Sequence, residues 1–455
     1  MLVAELELAL LRDEDIAGSE LVLQELRQMV RAASQPVPRI GDAARRFFMP
    51  LESFLTDGPA DHKRLGRIAR VSLEPIWQWI CRDLMPAEAN AFSDDINRAL
   101  LAGDGIKVEQ MTRVLHDRSI QHMNAAVAAL ESDEKARRRF SVQVGTPRAI
   151  QDVTTLAGIL AIRDVLGDAG RRLPDHFRMF EHEHAHQVKG LFDSFIAEKG
   201  GASPASQRPD VLLYGLIIAA NRMAAPWQLL RVATYAAETD ETAKIAATPY
   251  AVAVKIVLSD LEYAVSELRS ELKAGRPVAP LLKTLHDGAR GMRTEMDLSA
   301  DSPWSRRLAS IRSDVANMLT AEIETTPGRV RRLLRPRPAK EIAAGSLVDA
   351  YDVQEVETRV ELIAACRHYA GELAVSEVTL RTYSEITQYL ETGTRILLDA
   401  LRQADEAERP FRHSQVDAAV RFCRTVFGAD YAALLSKAAD AALQGASPDR
   451  RAARA

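Results

Sequence analysis

Thr248-Pro-Tyr-Ala-Val-Ala-Val-Lys-Ile-Val-Leu-Ser-Asp-Leu-Glu-Tyr-Ala-Val-Ser-Glu-Leu-Arg-Ser-Glu-Leu-Lys-Ala-Gly-Arg-Pro277 decides the fold. Its apolar residues Val254, Leu258, Leu261, Val265, Leu268 and Leu272 advance in alternating steps of four and three, which lines them along one face of an α-helix. Thr248 stands where a hydroxyl caps free backbone N–H groups, and Pro249 falls at the first helical position, where its missing N–H costs no hydrogen bond. Gly275-Arg276-Pro277 ends the run.

The same punctuation recurs on both sides. Thr146-Pro147, Ser203-Pro204, Ser302-Pro303 and Thr326-Pro327 each precede a helical pattern, and Ser302 leads into Leu308, Ile311, Val315 and Met318. Further on, Val353, Val356, Val360 and Ile363 step by three, four and three, and the pattern continues to Leu401 with Gly371 and Gly393 as its weak points. Period-two alternation is missing, and Asp57-Gly58 and Asp104-Gly105 are flanked by helix-like segments rather than strands. The expectation is an all-α fold, an irregular multi-helix array of long antiparallel amphipathic helices with no regular repeat.

Domain organisation is read from breaks in this pattern. An N-terminal helical region is expected over 1–145 and a central one over 146–326, with a Gly/Ser/Pro-rich loop at 200–209 inside it. A basic Pro/Arg linker is expected over 327–345, a C-terminal helical region over 346–446 and a frayed tail over 447–455.

Composition limits the function classes. The chain has 455 residues, 47% of them apolar and 27% charged, which suits a folded globular protein. Its formal charge of −4 provides no overall field for nucleic acid or anionic lipid. Cys81, Cys366 and Cys423 are too few and too far apart for a disulfide framework or a metal-binding pair. The N-terminal stretch has no basic region, and the most apolar run, Val211 to Ala220, is well short of the ~18 to 20 residues of a membrane-spanning helix. A cytoplasmic protein without a transmembrane segment is expected.

One motif carries chemistry. His182-Glu-His-Ala-His186 matches H-E-x-x-H, in which two histidines one turn apart bind zinc and the glutamate activates the metal-bound water. His182 and His186 are then the candidate metal ligands and Glu183 the candidate catalytic base. A helical wheel places Phe177, Phe180, His184, Val188, Leu191 and Phe195 on one apolar face, and His182 and His186 on the opposite face with Lys189 and Asp193. Zinc also needs a third protein ligand, and only the distant Glu238 and Glu241 are on offer. A di-iron reading of Glu183-x-x-His186 fails because no second Glu-x-x-His exists. Phosphate loops, dinucleotide fingerprints and nucleophile elbows are missing from the chain.

Two basic stretches remain. Lys63, Arg67 and Arg70 would stripe a helix capped by Asp61 and broken near Glu74 by Pro75, with Trp77 and Trp79 beyond. Arg329, Arg331, Arg332, Arg335, Arg337 and Lys340 form the denser cluster, a candidate surface for an anionic partner. The resulting expectation is a non-catalytic interaction or scaffold protein without a cofactor, whose partners are other proteins and, through 329–340, an anionic surface. Nucleic acid is disfavoured as a partner. The alternative is a zinc-dependent hydrolase at His182, Glu183 and His186.

Overall fold

The computed structural model describes residues 41–57, 64–145, 148–197 and 209–444. The expected starts at Thr146-Pro147 and Ser203-Pro204, the loop over 200–208, the tail at 447–455, and Asp61 and Lys63 lie outside these residues. The fold is all-α: 81% of the described residues are helical, with almost no strand among them.

The chain forms two compact units, Met1–Ala60 with Ala69–Ala161, and Asp61–Ile68 with Ile162–Ala455. The first contains α1 (Asp42–Phe48), α2 (Leu73–Trp79), α3 (Pro86–Leu101), α4 (Gly105–Ser132), α5 (Glu134–Val144) and α6 (Ala149–Ala161). Phe47, Phe54, Ile76, Ile96 and Met123 fill its core. Burial of such side chains contributes about 1.5–3 kcal/mol each. The buried His116 on α4 places Nε2 2.8 Å from the Phe47 carbonyl oxygen and its ring edge against Phe47, fastening α4 to α1.

Arg67 and Arg70 do not share a helical stripe. Residues 64–67 form a turn, Ile68–Ala69 is a two-residue strand and Arg70–Ser72 a single 3₁₀ turn. Pro75 does not break a helix either; α2 starts at Leu73, so the proline sits in a first turn whose N–H groups have no intrahelical partner.

The second unit contains α7 (Arg163–Arg172), α8 (His182–Ala197), α9 (Pro209–Asn221), α10 (Leu230–Ala237), α11 (Thr242–Ala246), α12 (Ala251–Lys273), α13 (Ala279–Glu295), α14 (Pro303–Leu334), α15 (Ala350–Leu373), α16 (Ser376–Gln403), α17 (Arg409–Phe427) and α18 (Ala429–Gln444). On α12, Val254, Leu258, Leu261, Val265 and Leu268 are all buried, as their period requires. Its start differs from the sequence reading: the helix begins at Ala251, and the Thr248 hydroxyl turns back to donate to the Ile245 carbonyl. Ser302 does cap α14, accepting the Trp304 N–H at 3.3 Å with Pro303 at the first helical position.

Thr326-Pro327 does not start a helix. It lies inside the 32-residue α14, where both residues are buried. An internal proline removes one helical hydrogen bond. The hydroxyls of Thr325 and Thr326 both donate to the Glu322 carbonyl, adding side-chain hydrogen bonds at that turn.

Ion pairs record the helix directions in this region. Arg359 pairs with Glu322 and Arg329 with Glu355, so α15 runs antiparallel to α14. Arg381 pairs with Glu324 and Arg331 with Glu385, so α16 returns parallel to α14. Among the described residues no helix is long and apolar enough to cross a membrane.

Candidate anion-binding groove

The last turns of α14 bring Arg331 and Arg332 to a helix C-terminus, where the unpaired carbonyls favour positive charge. Pro336 then stops the helix. Its ring excludes helical backbone for the residue before it, and Arg335 leaves the helix at φ −59°, ψ 127°. The freed carbonyls are taken by α17. The Gln415 side-chain amide donates to the Leu333 oxygen at 3.1 Å and the Arg335 oxygen at 3.0 Å. Arg412, itself paired with Glu408, donates to the Arg337 carbonyl at 2.5 Å. Both anchors are buried, so the backbone of the arginine segment is held from beneath.

Above that backbone, Arg331, Arg332, Arg335 and Arg337 line one open groove of about 740 Å³ with Glu341 and Tyr389. Arg331 pairs with Glu385 and lies 6.0 Å from the Tyr389 ring centre. Arg335 reaches Glu341 at 3.5 Å. Arg337 lies 5.0 Å from the Phe411 ring centre, where a guanidinium is attracted to the aromatic face. Among the described residues, neither Arg332 nor Arg337 has a carboxylate within ion-pair distance. The groove therefore combines two committed arginines with two whose donors are available.

The other two cations of the sequence cluster point elsewhere. Arg329 joins a ladder with Glu355, Arg359 and Glu322 between α14 and α15. Lys340 is exposed on the 3₁₀ turn Ala339–Glu341 and does not line the groove. Sequence reasoning missed Tyr389, Glu385, Arg412 and Gln415, which lie on α16 and α17, and no local pattern ties them to the arginines.

The H-E-x-x-H segment opens α8, with His182 as the first helical residue. The buried stripe is Ala185, Val188, Phe192 and Phe195; Leu191 is only half-buried, and Phe177 and Phe180 are buried ahead of the helix. His184 Nδ1 accepts the Glu181 N–H at 3.2 Å, and its ring stacks on Phe180. His182, Glu183 and His186 are exposed, with the His186 ring edge-on to Tyr235. Lys189 and Asp193 are engaged rather than free: they pair at 2.6 Å, and the Tyr250 hydroxyl donates to Asp193 at 2.7 Å. Among the described residues, no group of three or more His, Cys, Asp or Glu side chains is placed to hold a metal ion, so no third ligand is brought to His182 and His186.

No family model, curated protein or solved structure matches this chain.

Proposed function

We propose that the chain is a helical interaction protein, acting without catalysis in the cytoplasm, that receives an acidic segment of a partner protein in the arginine groove. The observation that carries this reading is the pair Arg332 and Arg337, two guanidinium groups without carboxylates on a backbone fixed by Gln415 and Arg412. A fixed backbone lowers the ordering cost of binding, and each guanidinium offers the planar fork that matches a carboxylate. Tyr389 and Pro336 supply apolar surface for the segment's other side chains.

An acidic peptide suits the groove better than a nucleic acid. The available cations are two rather than a stripe, and Glu341 and Glu385 stand beside them to repel a continuous polyanion. Three free cysteines, none disulfide-bonded, agree with a reducing compartment. The test is titration of the full chain with a fluorescent Glu/Asp-rich peptide, with single-stranded DNA and anionic vesicles as parallel arms. Saturable peptide binding is expected. Preference for DNA or for vesicles would replace this reading with another partner class.

A further inference from the structure

A second cavity lies within the Asp61–Ile68 and Ile162–Ala455 unit, remote in sequence from the arginine groove. It encloses about 450 Å³ between the residue 64 turn, the segment around Trp227, α12 and α13. That volume is within the range of about 300–1,000 Å³ usual for small-molecule sites. Its walls are built to hold shape. Arg64 pairs with Asp260 at 2.6 Å, and the Leu65 N–H donates to the Ser259 hydroxyl at 2.8 Å. Gly66 follows at φ +66°, a conformation that favours glycine, in close contact with α9. Trp227 is pinned against Gly291, where a Cβ would come within 2.3 Å of the indole, and the Arg231 guanidinium sits 5.8 Å from its ring centre.

The lining is apolar at Trp227, Val257, Leu261 and Ala264. Against that surface it sets two cations, Arg64 and Lys283, and three carboxylates, Asp260, Asp287 and Glu267. Asp260 is taken by Arg64 and Asp287 by Lys283. Glu267 is different. Among the described residues it has no cation within ion-pair distance, while Arg64 and Tyr263 favour its charged form. An ionised carboxylate accepts several hydrogen bonds, so acceptor capacity remains.

We propose that this cavity binds a small organic molecule carrying an ammonium group on an apolar or aromatic body, with the ammonium on Glu267 and the body against Trp227 and Leu261. Such a ligand replaces lost hydration at a half-buried carboxylate with a charge-assisted hydrogen bond, and its body covers surface otherwise left to water. Burial, followed by the neighbouring Glu271, pushes the Glu267 carboxyl up despite Arg64 and Tyr263, which agrees with a carboxylate short of compensation. A ligand carboxylate in the same place would meet Glu267 with like charge.

The probe is 2-phenylethylamine, with 2-phenylethanol and 3-phenylpropanoate as neutral and anionic controls of similar shape. Saturation-transfer NMR and calorimetry on the full chain at neutral pH read the binding. The amine is expected to bind with a dissociation constant of about 1 mM or tighter, and both controls at least ~10-fold more weakly. Glu267→Gln is expected to weaken the amine ~10-fold or more while circular dichroism stays unchanged. Leu281→Trp, at the half-exposed rim, narrows the cavity and is expected to weaken the amine without touching the carboxylate. Failure of the amine to bind at about 10 mM, equal binding of all three probes, or full amine affinity in a folded Glu267→Gln variant would each overturn the proposal.

Discussion

Gln415 on α17 donates its side-chain amide to the carbonyl oxygen of Arg335 at 3.0 Å, across 80 residues of sequence. The same amide reaches the Leu333 carbonyl, so one fully buried side chain supplies donors to a helix end that Pro336 has stopped. Removing it strands two carbonyls and leaves a cavity, offset in part because the Gln415 Oε1 oxygen itself lacks a hydrogen-bond partner. Gln415→Ala is expected to destabilise the protein by about 1–3 kcal/mol in urea unfolding. It is also expected to speed tryptic cleavage after Lys340, because the segment loses its anchor. Unchanged cleavage would show that Gln415 does not hold the segment.

How much of this was legible depends on how local each cause is. The buried row Val254 to Leu268 was readable because helical period alone selects a face. The Ser302 cap was readable because it acts two residues away, at Trp304. Pro327 misled because a proline signals a boundary, while the packing that carries α14 through it belongs to distant helices. The wheel for α8 was one position off, taking His184 and Leu191 for the buried stripe where Ala185 and Phe192 hold it. That offset came from including Phe177 and Phe180, which precede the helix. The groove's arginines were visible as charge, but Glu385, Arg412 and Gln415 lie 54 to 82 residues from the groups they meet. Arg67 shows the same limit: it donates to Asn221, 154 residues on, and is buried rather than facing solvent.

Exposure also sets what the H-E-x-x-H segment contributes to stability. His182→Ala and His186→Ala are each expected to change unfolding free energy by no more than about 0.5 kcal/mol, the usual range for exposed positions. After equilibration with zinc and gel filtration, metal analysis is expected to find less than one equivalent. One full equivalent, lost in His186→Ala, would restore the hydrolase reading.

Thiol chemistry follows burial. Cys366 and Cys423 are fully buried, and desolvation pushes each thiol up to about 12, leaving almost no thiolate at neutral pH. Half-buried Cys81 is raised too, by burial and then by Glu74. A disulfide reagent is expected to titrate at most one thiol in the native protein, slowly, and all three in denaturant. Fast modification of two thiols under native conditions would contradict the packing of α15 and α17.

Glu267 gives a pH dependence with a defined sign. Its carboxyl is raised above its ordinary 4.5, chiefly by burial. The native state therefore keeps a proton that the unfolded state has released, and stability falls as pH rises from the ordinary carboxylate range through the elevated native value. Glu267→Gln removes that loss. Its melting temperature is expected to exceed that of the parent at pH 7.5, by a few degrees at most, with the gap narrowing toward pH 4.5. A gap of equal size at both pH values would rule out ionisation as its source.

The arginine groove is tested most directly by the affinity of a Glu/Asp-rich peptide for the full chain and for Arg332→Ala, Arg337→Ala and the double variant, at two salt concentrations. Arg381→Ala serves as control, since Arg381 pairs with Glu324 outside the groove. Each groove substitution is expected to weaken binding about 10-fold, the scale of one charge-assisted hydrogen bond, and the double variant to lose most of the salt dependence. Arg381→Ala is expected to bind like the parent. Equal affinity in the parent and the double variant, with both folded, would contradict the account.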